Sequence, residues 1–165
     1  MANASVFTGA DGALLLSAPQ SAEGGKAQPI IDANQFSQVV GRLQNVKVEV
    51  VSDVKPFHEI GQRYATELRP GNINIRGSIG RAYINGALLS LLLGDAAAGK
   101  PAEIWMQPAF NITLMLKNPA NPDVQNTVTL HDVKIDSWVY GIPEDDFVME
   151  SVGFKALYIT VEDAG

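Results

Sequence analysis

The segment Gly94-Asp95-Ala96-Ala97-Ala98-Gly99-Lys100 has the spacing of a phosphate loop, in which backbone N–H groups and a lysine cradle phosphate oxygens. The next residue is Pro101, which brings no hydroxyl for Mg²⁺ and resists a helix starting at Lys100. The segment also follows a helical pattern, whereas a phosphate loop follows a strand, so it reads as a helix C-cap and a turn. His58 and His131 are the two histidines, and neither has the paired serine context of a nucleophile elbow. Glu144, Asp145, Asp146 and Glu150 could gather round a hard cation, but they lack the spaced ligands and central glycine of a calcium loop. They read as a solvated turn. Asn111-Ile112-Thr113 fits a glycosylation sequon but falls inside a strand pattern. Trp105 and Trp138 could stack on sugar rings, yet both lie in or beside apolar runs, which favours packing in a core or subunit interface. No catalytic residue, cofactor or metal is expected.

Composition narrows the choice further. The 165 residues are 46% hydrophobic and 18% charged, an ordinary globular balance that suits one domain with one core. Twelve Lys+Arg against eighteen Asp+Glu leave a formal charge of -6, which opposes stable binding to a polyanion. The basic residues are scattered without aromatic interleaving, so single-stranded nucleic acid is not an expected ligand either. With no cysteine, neither disulfides nor thiolate metal sites can form. The first residues have no basic n-region, and no apolar run approaches the roughly 20 residues of a membrane helix. Neither export by a signal peptide nor membrane association is expected.

The elements that would position any site are mostly strands. Residues 1–34 are small, polar and glycine-rich, with Ser21, Glu23, Gly24 and Gly25 breaking periodicity, and they read as an extended arm carrying a few apolar anchors. From Asn45 to Asp53, Val46, Val48 and Val50 alternate with Lys47, Glu49 and Val51, the period of a half-buried strand. Residues 54–64 mix Pro56, Gly61, charges and aromatics and read as a long excursion between strands. Ile73, Ile75 and Ile79 then share a face opposite Asn74, Arg76 and Ser78. Asn85 suits the cap of a short helix carrying Leu88, Leu89 and Leu92, which Gly94 would end. Phe110 to Lys117 alternates as a strand. Between Leu130 and Val133 the alternation slips, predicting a β-bulge at His131-Asp132. Phe147 to Val161 is apolar on both faces and reads as a strand covered on each side. Strands at regular spacing with one short helix predict a mainly β antiparallel sandwich or partial barrel.

Two blocks carry a resemblance to a known family. The run from Val50 to Gly94, with RAYIN at 81–85 leading into the leucine-rich helix, resembles the conserved segment of bacteriophage tail tube proteins. The run from Thr129 to Asp163, with the turn IPEDD at 142–146, resembles that family's closing strand pair. The type VI secretion and contractile injection system tubes are similar in architecture. The resemblance implies a structural virion protein without enzymatic activity, in which edge strands pair between copies to close hexameric rings around one large β-barrel. Rings would stack into the conduit for DNA. It implies an inter-ring stacking loop at 54–64, with Phe57, His58, Glu59, Arg63 and Tyr64 as contacts. Candidates for the lumen are Glu49, Asp53, Asn74, Arg76, Asp132 and Asp136, each opposite an apolar face. The negative total charge suggests an acidic, non-adhesive bore. Implied partners are the chain itself and sheath, baseplate or initiator, tape-measure and tail terminator proteins, with DNA in transit only. Its place would be the virion tail, after synthesis and assembly in the bacterial host cytoplasm. A tube of a contractile injection or type VI system is the alternative, and a small β-sandwich binding module is the alternative from another class.

Overall fold

In the computed structural model, which describes residues 6–164, the chain forms a curled antiparallel sheet with two helices packed against it. In chain order the main elements are β1 (Gly12–Ser17), α1 (Ala22–Ala33), β2 (Leu43–Ser52), β3 (Lys55–Phe57), β4 (Glu67–Arg69), β5 (Ile73–Ala82) and α2 (Ala87–Leu93). They continue with β6 (Phe110–Lys117), β7 (Gln125–Gly141), β8 (Met149–Ala156) and β9 (Tyr158–Ala164). The strand order is β1-β6-β7-β8-β5-β2, with β9 also on β7 and with β3 and β4 forming a separate ribbon. The expected mainly β, partial-barrel class is what the chain adopts.

The 17-residue strand β7 organises the sheet. Its first half lies between β6 and β9, and its second half pairs with β8. β8 and β9 are therefore one bent return strand, interrupted at Leu157. The bend comes from the bulge expected at His131-Asp132. Phe110 pairs with Val133 and Ile112 with Leu130, so β7 has one extra residue there, and Asp132 takes the left-handed φ of 53°. Asn111 Oδ1 accepts a hydrogen bond from the freed Asp132 N–H at 3.1 Å. The sequon asparagine is thus part of the bulge. The fold curls about this point, so that β1-β6-β7-β9 faces β2-β5-β8-β7 across one core.

Strand alternation aims Leu14 and Leu16, Ile75 and Ile79, Ile112, Leu130, Ile135, Val152 and Phe154 into that core, where all are buried. Gly77 faces Phe154 across β5 and β8, and a Cβ at Gly77 would come within 2.6 Å of the Phe154 ring and 2.3 Å of the Lys47 carbonyl oxygen. α2 lies nearby; its N-cap position is Gly86, one residue after the expected Asn85, whose Oδ1 still accepts from the Ala87 N–H at 3.1 Å, and Gly94, at φ 60°, ends it as expected. Its buried residues are Ala87, Leu88 and Leu91, so the buried stripe is rotated from the predicted one, and Leu89 and Leu92 are half-buried.

Three expectations are corrected. Residues 12–33 of the supposed arm are folded: β1 pairs with β6, and α1 buries Ala27 and Ile31 completely. Local composition opposes this helix, because Gly24, Gly25 and Pro29 all have poor helix propensity. Ser21 caps it by accepting from the Gly24 N–H at 3.0 Å, and Gly24 lies so close to the Pro19 carbonyl oxygen that a Cβ would sit 1.9 Å away. Burial and close approach override propensity there. The excursion at 54–64 is longer than expected, because it contains the β3–β4 ribbon and returns only at Gly71. Finally, Phe147–Val161 is not covered on both sides: Val152 and Phe154 are buried, while Phe147, Leu157, Tyr158 and Val161 are exposed. β8 is central between β7 and β5, but β9 is an edge strand.

Candidate assembly interfaces

Four surfaces stand out: a projecting ribbon, a polar sheet face, two free strand edges and an apolar cleft. The ribbon extends the β2–β5 hairpin beyond Ser52 and Ile73. Phe57 is exposed at the end of β3, and the tip carries His58, Glu59, Arg63 and Tyr64, all exposed. The structure brings these five residues together. It also adds Ile60 and Leu68, two exposed aliphatic side chains that the sequence reading passed over. Within the ribbon, the Thr66 N–H donates to the Phe57 carbonyl at 2.9 Å and Arg69 pairs with Glu67 at 3.0 Å, both at the surface. A two-stranded ribbon with no core behind it is marginally stable by itself, and exposed aromatic and aliphatic side chains in one patch mark an interaction site.

The polar face lies on the side of β2-β5-β8-β7 away from the core. Glu49 faces Arg76 in register, and Arg76 faces Lys155. The Arg76 guanidinium reaches both oxygens of Glu49, at 3.1 and 3.4 Å. That hydrogen-bonded pairing holds the Glu49 carboxyl below the usual glutamate range and raises Arg76. Lys155 lies 3.8 Å from Asp136. Lys47, Ser78 and Gly153 complete the same depression, and Asn74 lies further along β5 on this face. Of the six residues expected here, Glu49, Asn74, Arg76 and Asp136 share the face. Asp53 lies beyond β2 at the base of the ribbon, its N–H donating to the Asn72 carbonyl at 3.0 Å. Asp132 is drawn away by the bulge, beside Glu23 and Lys134.

This face is not acidic: Lys47, Arg76 and Lys155 stand against Glu49 and Asp136. The acidic excess of the sequence lies elsewhere, in part at Glu144, Asp145 and Asp146 before β8 and at Glu162 and Asp163 on β9. Alternation sorts side chains by face, so the total charge of a chain does not fix the charge of any one surface.

Among the described residues, β2 pairs with β5 alone, and the second half of β7 pairs with β8 alone. The four-stranded unit β2-β5-β8-β7 therefore has a free edge on each side. Because every pairing within it is antiparallel, β2 and β7 run in opposite directions. The unit is open to pairing with further copies at both edges.

No protein-family model matches the chain. No curated protein matches it either. Solved structures do. A chain of the PVC sheath–tube complex, from an extracellular contractile injection system in its extended state, superposes with a TM-score of 0.66 at 9% identity, covering 96% of this chain and 93% of that one. The SPP1 tail tube gives 0.61 at 13% identity, covering 96% and 80%. A type six secretion system protein gives 0.52 at 10% identity, covering 97% and 91%.

The fold is shared with these proteins over 96–97% of this chain. Within it, the two histidines are far apart in role as well as in sequence. His58 is exposed on the ribbon tip, while His131 stacks on Tyr158 at 4.2 Å between ring centroids, with Nε2 3.0 Å from the Thr160 hydroxyl. The segment 94–100 begins with a 3₁₀ turn directly after α2, as its composition suggested. Trp138 is half-buried against Tyr83 and Tyr140, and its N–H donates to Glu150 at 2.9 Å. Trp105 is exposed beside Ile104 and Met106, on the loop between α2 and β6.

Sequence reasoning missed a buried network and misplaced Glu150, which was expected in a solvated turn with Glu144, Asp145 and Asp146 but lies on β8 with its side chain facing inward. Glu150 (1% exposed) and Arg81 (4% exposed) face each other on β8 and β5, with their nearest charged atoms 3.5 Å apart. Arg81 Nε donates to the Gly41 carbonyl at 3.1 Å, and its guanidinium carbon lies 5.3 Å from the centre of the Phe36 ring. One signal for it was available: Arg81 continues the inward series Ile75, Gly77, Ile79.

Proposed function

We propose that the chain is the tail tube subunit of a bacteriophage, a structural protein whose only work is assembly. The observation that carries the reading is the four-stranded unit with two free edges of opposite direction. Rotation about one axis brings β2 of each copy beside β7 of the next, and because the unit has an even number of strands, that new pairing is antiparallel like all the others. A ring closed in this way leaves no unpaired edge in that four-stranded unit. The fold likeness to the SPP1 tail tube over 96% of this chain supports the same reading.

In such a ring the polar face of β2-β5-β8-β7 lines the bore, and the helices and β1-β6-β9 lie outside. Glu49, Asn74, Arg76 and Asp136 would then face passing DNA. The pairing of Arg76 with Glu49 and of Lys155 with Asp136 keeps two of the three cations on the face occupied, which lowers adhesion to phosphate without an acidic lining. The ribbon tip at Phe57, His58, Glu59, Arg63 and Tyr64 makes the contact with the next ring. That contact is head-to-tail and does not close, so it yields a filament. Partners follow from position: sheath outside, an initiator or baseplate at one end, a terminator at the other, and a tape-measure protein and then DNA within. The virion tail is the location.

A tube of a contractile injection or type VI system is the second reading, favoured by the likeness to the PVC and type six chains. Attachment of the native tube to a capsid separates the two. Negative-stain microscopy of the purified protein tests the shared claim: hollow rings or rods are expected, and dispersed monomers at every concentration and ionic strength would overturn it. Replacing residues 54–71 by Asn-Gly, the two-residue turn suited to a hairpin, is expected to leave a folded protein that closes rings without stacking them.

A further inference from the structure

β1 and β2 are not paired with each other; the segment 36–40 bonds to β1 through the Leu16 N–H to the Phe36 carbonyl and the Val40 N–H to the Leu14 carbonyl, both at 2.8 Å, and an apolar cleft of about 560 Å³ remains between this segment, β1 and the start of β2. Leu14 and Val40 lie in it, Val39 and Leu43 flank it, and Val46 and Met115 line its sides. Arg42, exposed and in no ion pair among the described residues, stands where the chain enters β2.

The register shows which part of a second copy arrives at this cleft. Within one copy Leu43 lies level with Arg81, Ala82 with Met149, and Met149 with Gly141, so the start of β2 and the end of β7 are at the same pole. When β7 of one copy pairs antiparallel with β2 of another, its Gly141 end comes beside Leu43. The turn 142–148 follows directly. That turn exposes Ile142 (73%) and Phe147 (80%), and between them it carries Glu144, Asp145 and Asp146. Apolar side chains thus meet an apolar cleft, and a cluster of three carboxylates meets an unpaired arginine. The ribbon is not the occupant within a ring, because it leaves the far end of β2, a strand of 10 residues and so about 30 Å long.

We propose that the cleft between β1 and β2 receives the acidic turn 142–148 of a second copy of this chain, with Phe147 and Ile142 seated in it and the carboxylates facing Arg42. This rests on the ring reading above. It makes the turn a plug that covers the apolar lining of its neighbour's cleft, the exposed Val39 and the half-buried Leu43, Val46 and Met115, so that strand pairing and cleft filling occur together.

The absence of cysteine from the chain allows a clean test by cross-linking. Val39 and Phe147 are both exposed, so the double variant Val39→Cys/Phe147→Cys should fold. A disulfide forms only if the two Cα atoms come within about 7 Å. Mild oxidation of rods or rings is expected to give a ladder of covalent oligomers beyond the dimer on a non-reducing gel, whereas each single variant stops at dimers. The control Val39→Cys/Ile60→Cys, which joins the cleft to the ribbon tip, is expected to give no ladder. A ladder from the control instead would assign the cleft to the ribbon of the next ring and overturn the proposal. Intact rods by microscopy with no ladder from either pair would also overturn it while leaving the tube reading in place. An absence of rings and rods from the parent protein removes both. Arg42→Glu is expected to raise the concentration needed for assembly about tenfold, because an attraction to the carboxylates is replaced by a repulsion, and assembly at the parent's concentration counts against the charge pairing.

Discussion

Glu150→Ala removes the carboxylate at the centre of the buried network. Two groups lose their partner: Arg81, at 4% exposure, and the Trp138 N–H, which donated at 2.9 Å. Breaking a buried ion pair by deleting one member costs about 3–5 kcal/mol, because the remaining charge stays buried without compensation. Arg81 keeps its bond to the Gly41 carbonyl and its contact with Phe36, which places the cost at the lower end. The half-buried Trp138 N–H adds about 1 kcal/mol. A total of about 4 kcal/mol corresponds, at about 2–4 °C per kcal/mol for a domain of this size, to a Tm lowered by about 8–16 °C. The assay is urea and thermal unfolding followed by tryptophan fluorescence, with residues 54–71 replaced by Asn-Gly so that stacking does not add to stability. A companion variant, Arg81→Met/Glu150→Leu, removes both charges and is expected to regain most of the loss. The assay also bears on assembly, since Arg81 holds the loop from Phe36 to Gly41 that leads into the cleft. If Glu150→Ala stays within 1 kcal/mol of its parent, the two side chains do not form a coupled buried pair and the reasoning fails.

Gly77→Ala puts a methyl group into the space occupied by the Phe154 ring and the Lys47 carbonyl, and should destabilise by about 1–3 kcal/mol in the same unfolding assay; an unchanged midpoint would mean that β2 and β8 yield at no cost. Carboxyl NMR should place the Glu49 midpoint below the usual glutamate range, because Arg76 pairs with the charged form. A depressed value means that the pair contributes above the unfolded pKa and is lost as pH falls through the folded one, so any loss is confined to acid; Arg76→Gln should return the midpoint to the ordinary range. Replacing 54–71 by Asn-Gly should abolish rods while leaving the unfolding transition cooperative, and rods of normal length would remove the ribbon from stacking.

The alternations at 46–51, 73–79 and 110–117 marked β2, β5 and β6 because a strand with one buried face must place apolar residues two apart. The slip at 131–132 marked the bulge for the same reason, and Asn85 with Gly94 marked the ends of α2 through local hydrogen bonding and backbone freedom. The ribbon residues Phe57 to Tyr64 could be picked out as an excursion, though not as a paired ribbon. These features depend on neighbours within a few residues. Helix α1 does not: its glycines and proline argue locally against a helix, and it forms because Ala27 and Ile31 are buried by β1, β6 and α2. Arg81 meets Glu150 across 69 positions, and Lys155 reaches Asp136 only where β7 has been re-aimed by its bulges. The separation of mixed charge on the polar face from the acids at 144–146, and the cleft between β1 and β2, likewise exist only once the sheet has curled. Periodicity fixes which side of a strand is apolar; which strands face one another, and which edges are left open, is decided by long-range packing that no local pattern encodes.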